Sequence, residues 1–341
     1  MNKFFISFYV IAISISACTS CSTKNYVADV SKIKVELKTE RFDKEFLSLA
    51  KTNDVYGSIL NLQNKYGDFF KFYLQEILSI NYISDTSHAL ADSIVGFFKN
   101  QYYLKVFDTT VLVYNNVENI NSKLTEGFRH FIFYFPEINV PTIIYYLNGP
   151  RAFTYGDSIL AIGLDNYLGS DFWFYSAVQP PIPQFLIRRL REEYIVPNAM
   201  EVMGTNLFPY VDDGKKLIDE MIYRGKITCL LQHILPETTD SLLTGFSKLD
   251  LAWLADNERE VWKFYMKNNL LYETDPMVYK KYVNDAPNTS GMPPESPGNT
   301  GSWVGWRIVQ KFMKENPDYT LKQLMNEKDS QKILALSKYK P

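Results

Sequence analysis

Residues 142–164, "TIIYYLNGPRAFTYGDSILAIGL", constrain the fold more than any other stretch, because here the helical texture of the chain gives way to β-rich runs. Thr142 to Leu147 and Ser158 to Leu164 are rich in β-branched and aromatic residues. The turn signals Asn148-Gly149-Pro150 and Gly156-Asp157 separate them, as expected of a pair of strands. Before and after this stretch, apolar residues recur at three- and four-residue steps, the spacing of an amphipathic helix. The fold class that follows is α/β (α+β), mostly helical, with a small sheet embedded among helices.

A further half-buried strand is expected where Ile33, Val35 and Leu37 alternate with Lys34, Glu36 and Lys38. Helical spacing fills the region from Phe42 to about Phe107 and then "INSKLTEGFRHFIFYF", stopping at Pro136. Helices are predicted again at about Pro183 to Tyr194, Ala199 to Leu207, Gly214 to His233, Leu249 to Asn268 and Ser302 to Lys314. Pro197, Pro209, Pro236, Pro276 and Pro317 mark boundaries, since proline lacks the N–H and fixes φ.

The N-terminus has the three parts of a secretory signal: basic Lys3, an apolar run from Phe4 to about Ile15, and the small pair Ser16-Ala17 ahead of Cys18. A membrane span needs about 20 apolar residues, so this run is too short to remain as one. Ile15-Ser16-Ala17-Cys18 resembles the bacterial lipobox. The resemblance implies removal of residues 1–17 and a mature Cys18 carrying a thioether-linked diacylglycerol and an amide-linked acyl chain. Cys21 fits less well, because Cys18 would occupy its aliphatic position. The expected organisation is a lipidated tether over 18–31 and one globular domain over 32–341. More than one acyl chain makes attachment to the bilayer stable. With no strongly acidic stretch after Cys18, the expected location is the outer membrane, facing the periplasm.

Removing Lys3 with the signal leaves 35 basic against 38 acidic residues, so no basic excess points to nucleic acid. Aromatic residues make up 15% of the chain, which suits a large core, with glycan-gripping surface tyrosines as the other reading. The three cysteines make no disulfide framework: Cys229 in "KITCLLQHIL" reads as a buried thiol, with a Cys21–Cys229 pairing left open.

The search for chemistry ends without a complete constellation. The three histidines, His88, His130 and His233, stand apart, and none begins a His-Glu-x-x-His helix. No phosphate-binding glycine loop or Gly-x-Ser-x-Gly elbow is present. Carboxylates cluster at Glu192-Glu193 and at Asp256, Glu258 and Glu260, but Arg188, Arg189, Arg191 and Arg259 lie close by, so ion pairing explains them more simply than catalysis. No catalytic residue, metal ligand or cofactor is assigned.

An ordered set of segments spans the chain: "ERFDKEF" (40–46), "GLDNYLG" (163–169), "IYRGK" (222–226), "DNEREVWKFYMKNNLLYETD" (256–275), "SPGNTGSWVGWRIVQKFM" (296–313) and "ILALSKYKP" (333–341). Together with the lipobox, this set resembles the gliding-motility lipoprotein GldB family of the Bacteroidetes. The resemblance implies a body related to zincin-type metallopeptidases in which the metal-binding helix would correspond to "PQFLIRRLREEY". That segment holds no histidine, and Tyr223, Arg224 and Lys226 stand where a further acidic ligand would be. The expected function is that of a non-catalytic, membrane-anchored envelope lipoprotein supporting gliding motility and its associated secretion machinery, with envelope or gliding-machinery proteins as partners. The alternative is a residual hydrolase, peptidase or glycan-directed, using carboxylates.

Within "GSWVGWRIV", Gly301, Gly305, Trp303 and Trp306 read as a close-packed helix contact, glycine admitting a neighbouring backbone and tryptophan filling the gap. The Pro/Gly/Ser-rich loop 284–302 reads as a surface excursion. Glu295, Ser296, Gly298 and Asn299 are its candidate partner-binding residues.

Overall fold

The computed structural model describes residues 28–82, 88–211 and 215–341. Strands β1 (Thr39–Glu40), β2 (Thr142–Tyr146), β3 (Ala152–Tyr155) and β4 (Ile159–Gly163) form one sheet in the order β1-β2-β4-β3. β2 runs parallel to β1 and to β4, whereas β3 pairs antiparallel with β4. Side chains alternate across a strand, so Ile143, Tyr145, Leu160 and Ile162 enter one core while Ile144, Tyr146 and Ala161 enter another. Burial on both faces is why these strands read as unbroken apolar runs.

The face bearing Ile144 and Tyr146 is covered by N-terminal helices, among them α1 (Phe42–Ser48), α2 (Val55–Tyr66), α3 (Ala89–Phe98) and α4 (Gln101–Val113). Its core is built from rings: Phe42 meets Tyr73 edge-on at 4.8 Å and Tyr66 at 4.9 Å. The buried Tyr73 hydroxyl donates to the Leu147 carbonyl at 2.9 Å, tying this layer to the end of β2.

The opposite face packs on α5 (Glu118–Tyr134), α6 (Ile195–Leu207), α7 (Leu217–Ile234), α8 (Lys248–Asp256), α9 (Glu258–Lys267), α10 (Pro276–Val283) and α11 (Thr300–Glu315). α7 is buried on most of its circumference, its charged residues Glu220 and Lys226 included, as a helix enclosed by others. It meets α11 backbone to backbone. A Cβ on Gly305 would stand 1.7 Å from the Met221 carbonyl oxygen, and one on Gly225 would stand 2.3 Å from the Gly305 carbonyl oxygen. Trp303 and Trp306 are 3% and 4% exposed, and the Trp306 indole donates to Gln232 at 3.0 Å. The close contact expected from "GSWVGWRIV" is therefore present.

Several local expectations are corrected. Residues 33–38 do alternate in burial, but ladder pairing is confined to Thr39–Glu40, with the Lys38 carbonyl accepting from Ile143 N–H at 2.9 Å. The two β-rich runs are parallel neighbours, and an additional strand, β3, lies in their connection. The helix predicted over 183–194 is one turn at Gln184–Ile187 and another at Glu192–Tyr194. Between them Arg191 is drawn into extended backbone, bridging Leu168, so the helix cannot propagate. Pro197 lies inside α6 rather than at its boundary, in the first turn where a missing N–H costs nothing. The helix predicted over 249–268 divides at Asn257, whose side chain donates to the Trp253 carbonyl at 2.8 Å. Gly214 and the N-terminal segment with Cys18 and Cys21 lie outside the described residues.

Candidate functional site

A cleft of about 620 Å³ opens between α6, α7 and the start of α11. Arg151, from the β2–β3 connection, and Arg189, from the broken segment after Ile187, complete its walls. The sheet places Arg151 beyond the carboxyl ends of β2 and β4, the edge at which α/β sheets commonly offer a crevice.

The charges of the cleft are arranged in part as pairs. Arg224 donates to Glu220 Oε1 through Nε at 3.0 Å and Nη2 at 2.6 Å, and reaches Asn284 Oδ1 at 3.2 Å. Arg189 donates to Asp285 at 2.8 Å and to the Gly245 carbonyl at 2.8 Å. Gly245 has φ +73°, and a Cβ there would meet the Arg189 guanidinium at 2.6 Å, so both conformation and space demand glycine. Glu201 and Arg151 form no ion pair among the described residues. Glu201 is open to the cleft yet densely surrounded, and this desolvation raises its pKa above the ordinary carboxylate value against the pull of Arg151, Arg224 and Arg189.

Two further acceptors on the cleft wall stand without partners among the described residues: Glu220 Oε2 and Asn299 Oδ1. Asn299 has φ +61° and immediately precedes α11, so its amide is held by a left-handed backbone turn. Next to the cleft's sheet edge, Asp165 accepts from Asn148 N–H at 3.1 Å, and burial raises its pKa to about 7.

The sequence-derived candidates fall at different places. Cys18 lies outside the described residues. Of the four candidate partner-binding residues of the loop, only Glu295 is exposed. Ser296 is 1% exposed and its Oγ accepts from Thr289 N–H at 3.3 Å. Gly298 is buried, with no room for a Cβ beside the Ala286 carbonyl oxygen at 2.2 Å. Asn299 is half-buried on the cleft wall. The reason is a hydrogen-bond chain beneath the loop: the Thr289 hydroxyl donates to the Pro297 carbonyl at 2.7 Å and lies 3.0 Å from Thr300 Oγ1, which lies 2.7 Å from the Tyr265 hydroxyl. The expected surface excursion is thus present over most of residues 284–295, whereas the limb 296–299 is corrected to one that folds back against the body.

The carboxylate clusters remain apart. Glu192 and Glu193 are exposed, with Glu192 accepting from Asn119 at 3.2 Å. Glu258 accepts from Arg307 at 3.0 Å and Tyr339 at 2.9 Å, and Glu260 from Lys263 at 2.6 Å. His130 is buried beside Glu126, His233 Nδ1 lies 2.7 Å from the Cys229 carbonyl, and exposed His88 adjoins the Tyr56 ring. Burial pushes the Cys229 thiol up to about 12. Among the described residues, no three of His, Cys, Asp and Glu come together as a metal site would require. Tyr223 and Arg224 do line the cleft, whereas Lys226 turns to a neighbouring groove, donating to the Glu327 carbonyl at 2.8 Å. Sequence reasoning missed Glu201 and Glu220. The available signal was a charged residue inside the apolar runs "IVPNAMEVMG" and "LIDEMI".

Fold and cleft together define a mostly helical α/β protein with a small buried sheet and an internally charge-balanced cleft at its edge. The family model of the gliding motility protein GldB matches residues 23–341, and the chain belongs to that family. No curated protein and no solved structure matches. Among the described residues, no helix is long and apolar enough to cross a membrane.

Proposed function

We propose that the chain is a non-catalytic envelope lipoprotein, anchored through acylated Cys18 to the periplasmic face of the outer membrane, that supports gliding motility and the secretion machinery associated with it. Membership of the GldB family is the observation that carries this reading. The cleft supports its non-catalytic half: Glu220 and Asp285 are held by Arg224 and Arg189, so these carboxylates are engaged in ion pairs and not set against each other as an acid–base pair. The segment 183–194, which the zincin resemblance would make a metal-binding helix, is broken and without histidine, consistent with a scaffold that has lost such a site.

The test combines anchoring with phenotype. Replacing Cys18→Ala should abolish labelling by a palmitate analogue, release the protein from the membrane fraction and impair gliding, while Cys21→Ala should do none of these. Persistent label on the Cys18→Ala protein would overturn the anchor. The purified protein should cleave no peptide or glycan; hydrolysis lost on changing Glu192 and Glu193 would overturn the non-catalytic reading.

A further inference from the structure

The cleft holds more polar capacity than its own pairs consume. Arg189 and Arg224 are neutralised by Asp285 and Glu220, but three acceptors and one cation are left over. Glu220 is 5% exposed, and its Oε2 has no partner among the described residues; neither does Asn299 Oδ1. A buried acceptor left unpaired costs about 1–3 kcal/mol, more when it is charged. Among the described residues the Glu201 carboxylate lines the cleft without an ion pair, and so does the Arg151 guanidinium, with its five fixed donors.

These groups lie on different elements. Arg151 belongs to the strand connection, Glu220 to α7 and Asn299 to the entry of α11, while α6, carrying Glu201, packs between β3 and α7. The six charged groups of the cleft are three arginines and three carboxylates, Arg151, Arg189 and Arg224 against Glu201, Glu220 and Asp285. A singly charged guest would leave the cleft with an unbalanced charge in a desolvated place, whereas a guest with one charge of each sign would not. The volume, about 620 Å³, lies within the range of small-molecule sites, about 300–1,000 Å³. Trp303 and Tyr223 supply apolar wall beside the polar groups.

We propose that this cleft binds a zwitterion of the amino-acid or short-peptide class, its ammonium received by Glu220, Asn299 and Glu201 and its carboxylate by Arg151. The proposal does not depend on the anchoring or motility reading. A bidentate hold on the carboxylate by Arg151 and a charge-assisted hold on the ammonium are the interactions that would select such a guest.

The test uses the full-length chain in detergent and the dipeptide alanylalanine as probe, read by tryptophan fluorescence, because Trp303 and Trp306 border the cleft. A saturable change is expected, with affinity weaker by about tenfold or more for both the N-acetylated dipeptide and its C-terminal amide. Glu201→Gln and Arg151→Met should each weaken the dipeptide by about tenfold while leaving the melting temperature without ligand unchanged. Asn299→Gly, which keeps the left-handed turn and removes the acceptor, should weaken it as well. No saturable response at millimolar dipeptide overturns the proposal. Equal binding of either capped form also overturns it, since the cleft would then read one charge only. Should the variants fail to fold, the capped dipeptides on the unmodified protein still decide.

Discussion

Helices α7 and α11 present two sides to the rest of the molecule, and the two sides obey opposite rules. Along their shared seam, Gly225 and Gly305 bring backbone against backbone, with the buried rings of Trp303 and Trp306 alongside, so there is no space for a single added carbon. On the cleft side, the same pair carries Glu220, Arg224 and Asn299 around an opening of about 620 Å³, with acceptors that have no partner among the described residues. The contrast shows how a rigid dry contact can hold polar groups in positions they would not choose, since a seam that cannot shift keeps desolvated charges in place.

The comparison can be broken most forcefully at the tryptophans. Trp303→Ala or Trp306→Ala should each cost about 3–5 kcal/mol, measured by chemical denaturation, because the surrounding helices cannot close over the void. A loss within the range of an ordinary surface change would show that the seam is soft. Gly305→Ala follows at about 3 kcal/mol, at the upper end for overpacking because the obstruction is the Met221 backbone rather than a movable side chain. Gly225→Ala should behave alike; a neutral effect at both would show that the helices part easily.

At the polar sheet edge the expected effect is smaller and depends on pH. Asp165 is raised from the ordinary 3.8 to about 7 by burial, so the folded state holds its proton where the unfolded state has released it. Stability contributed by the protonated form is full below about pH 4 and is lost as pH rises towards about 7. Asp165→Asn should therefore flatten this slope and stabilise the protein by about 2 kcal/mol at about pH 8. Denaturation at two pH values measures it, and an unchanged slope would remove the buried carboxyl from the account. Smallest are the loop changes that sharpen the comparison near Asn299. Ser296→Ala should cost about 1 kcal/mol through its bond to Thr289, whereas Glu295→Gln should stay within about 0.5 kcal/mol. Equal effects would show that the loop is not divided as its burial indicates.

Helical spacing made the long elements legible: "INSKLTEGFRHFIFYF" is α5, and "GSWVGWRIV" lies within α11. Where the reading failed, a partner distant in sequence was responsible. Arg191 is extended because Leu168 bridges it, and the loop before α11 is folded inward because Thr289, Thr300 and Tyr265 join beneath it. In the cleft, Arg189 and Arg224 are recognisable as charges in the sequence, but nothing beside Glu201 and Glu220 in their helical runs marks them as part of a site.

The sequence by itself determined which segments could bury an apolar face and where glycine and tryptophan alternate on α11, because periodicity and local steric demand are properties of neighbouring residues. Only the tertiary structure decided the parallel order of β2 and β4, the inward loop, and the meeting of Arg151, Glu201, Glu220 and Asn299 in one cleft. Those outcomes depend on desolvation and pairing between residues tens to more than a hundred positions apart, and a charge carries no mark of its future partner in the residues beside it.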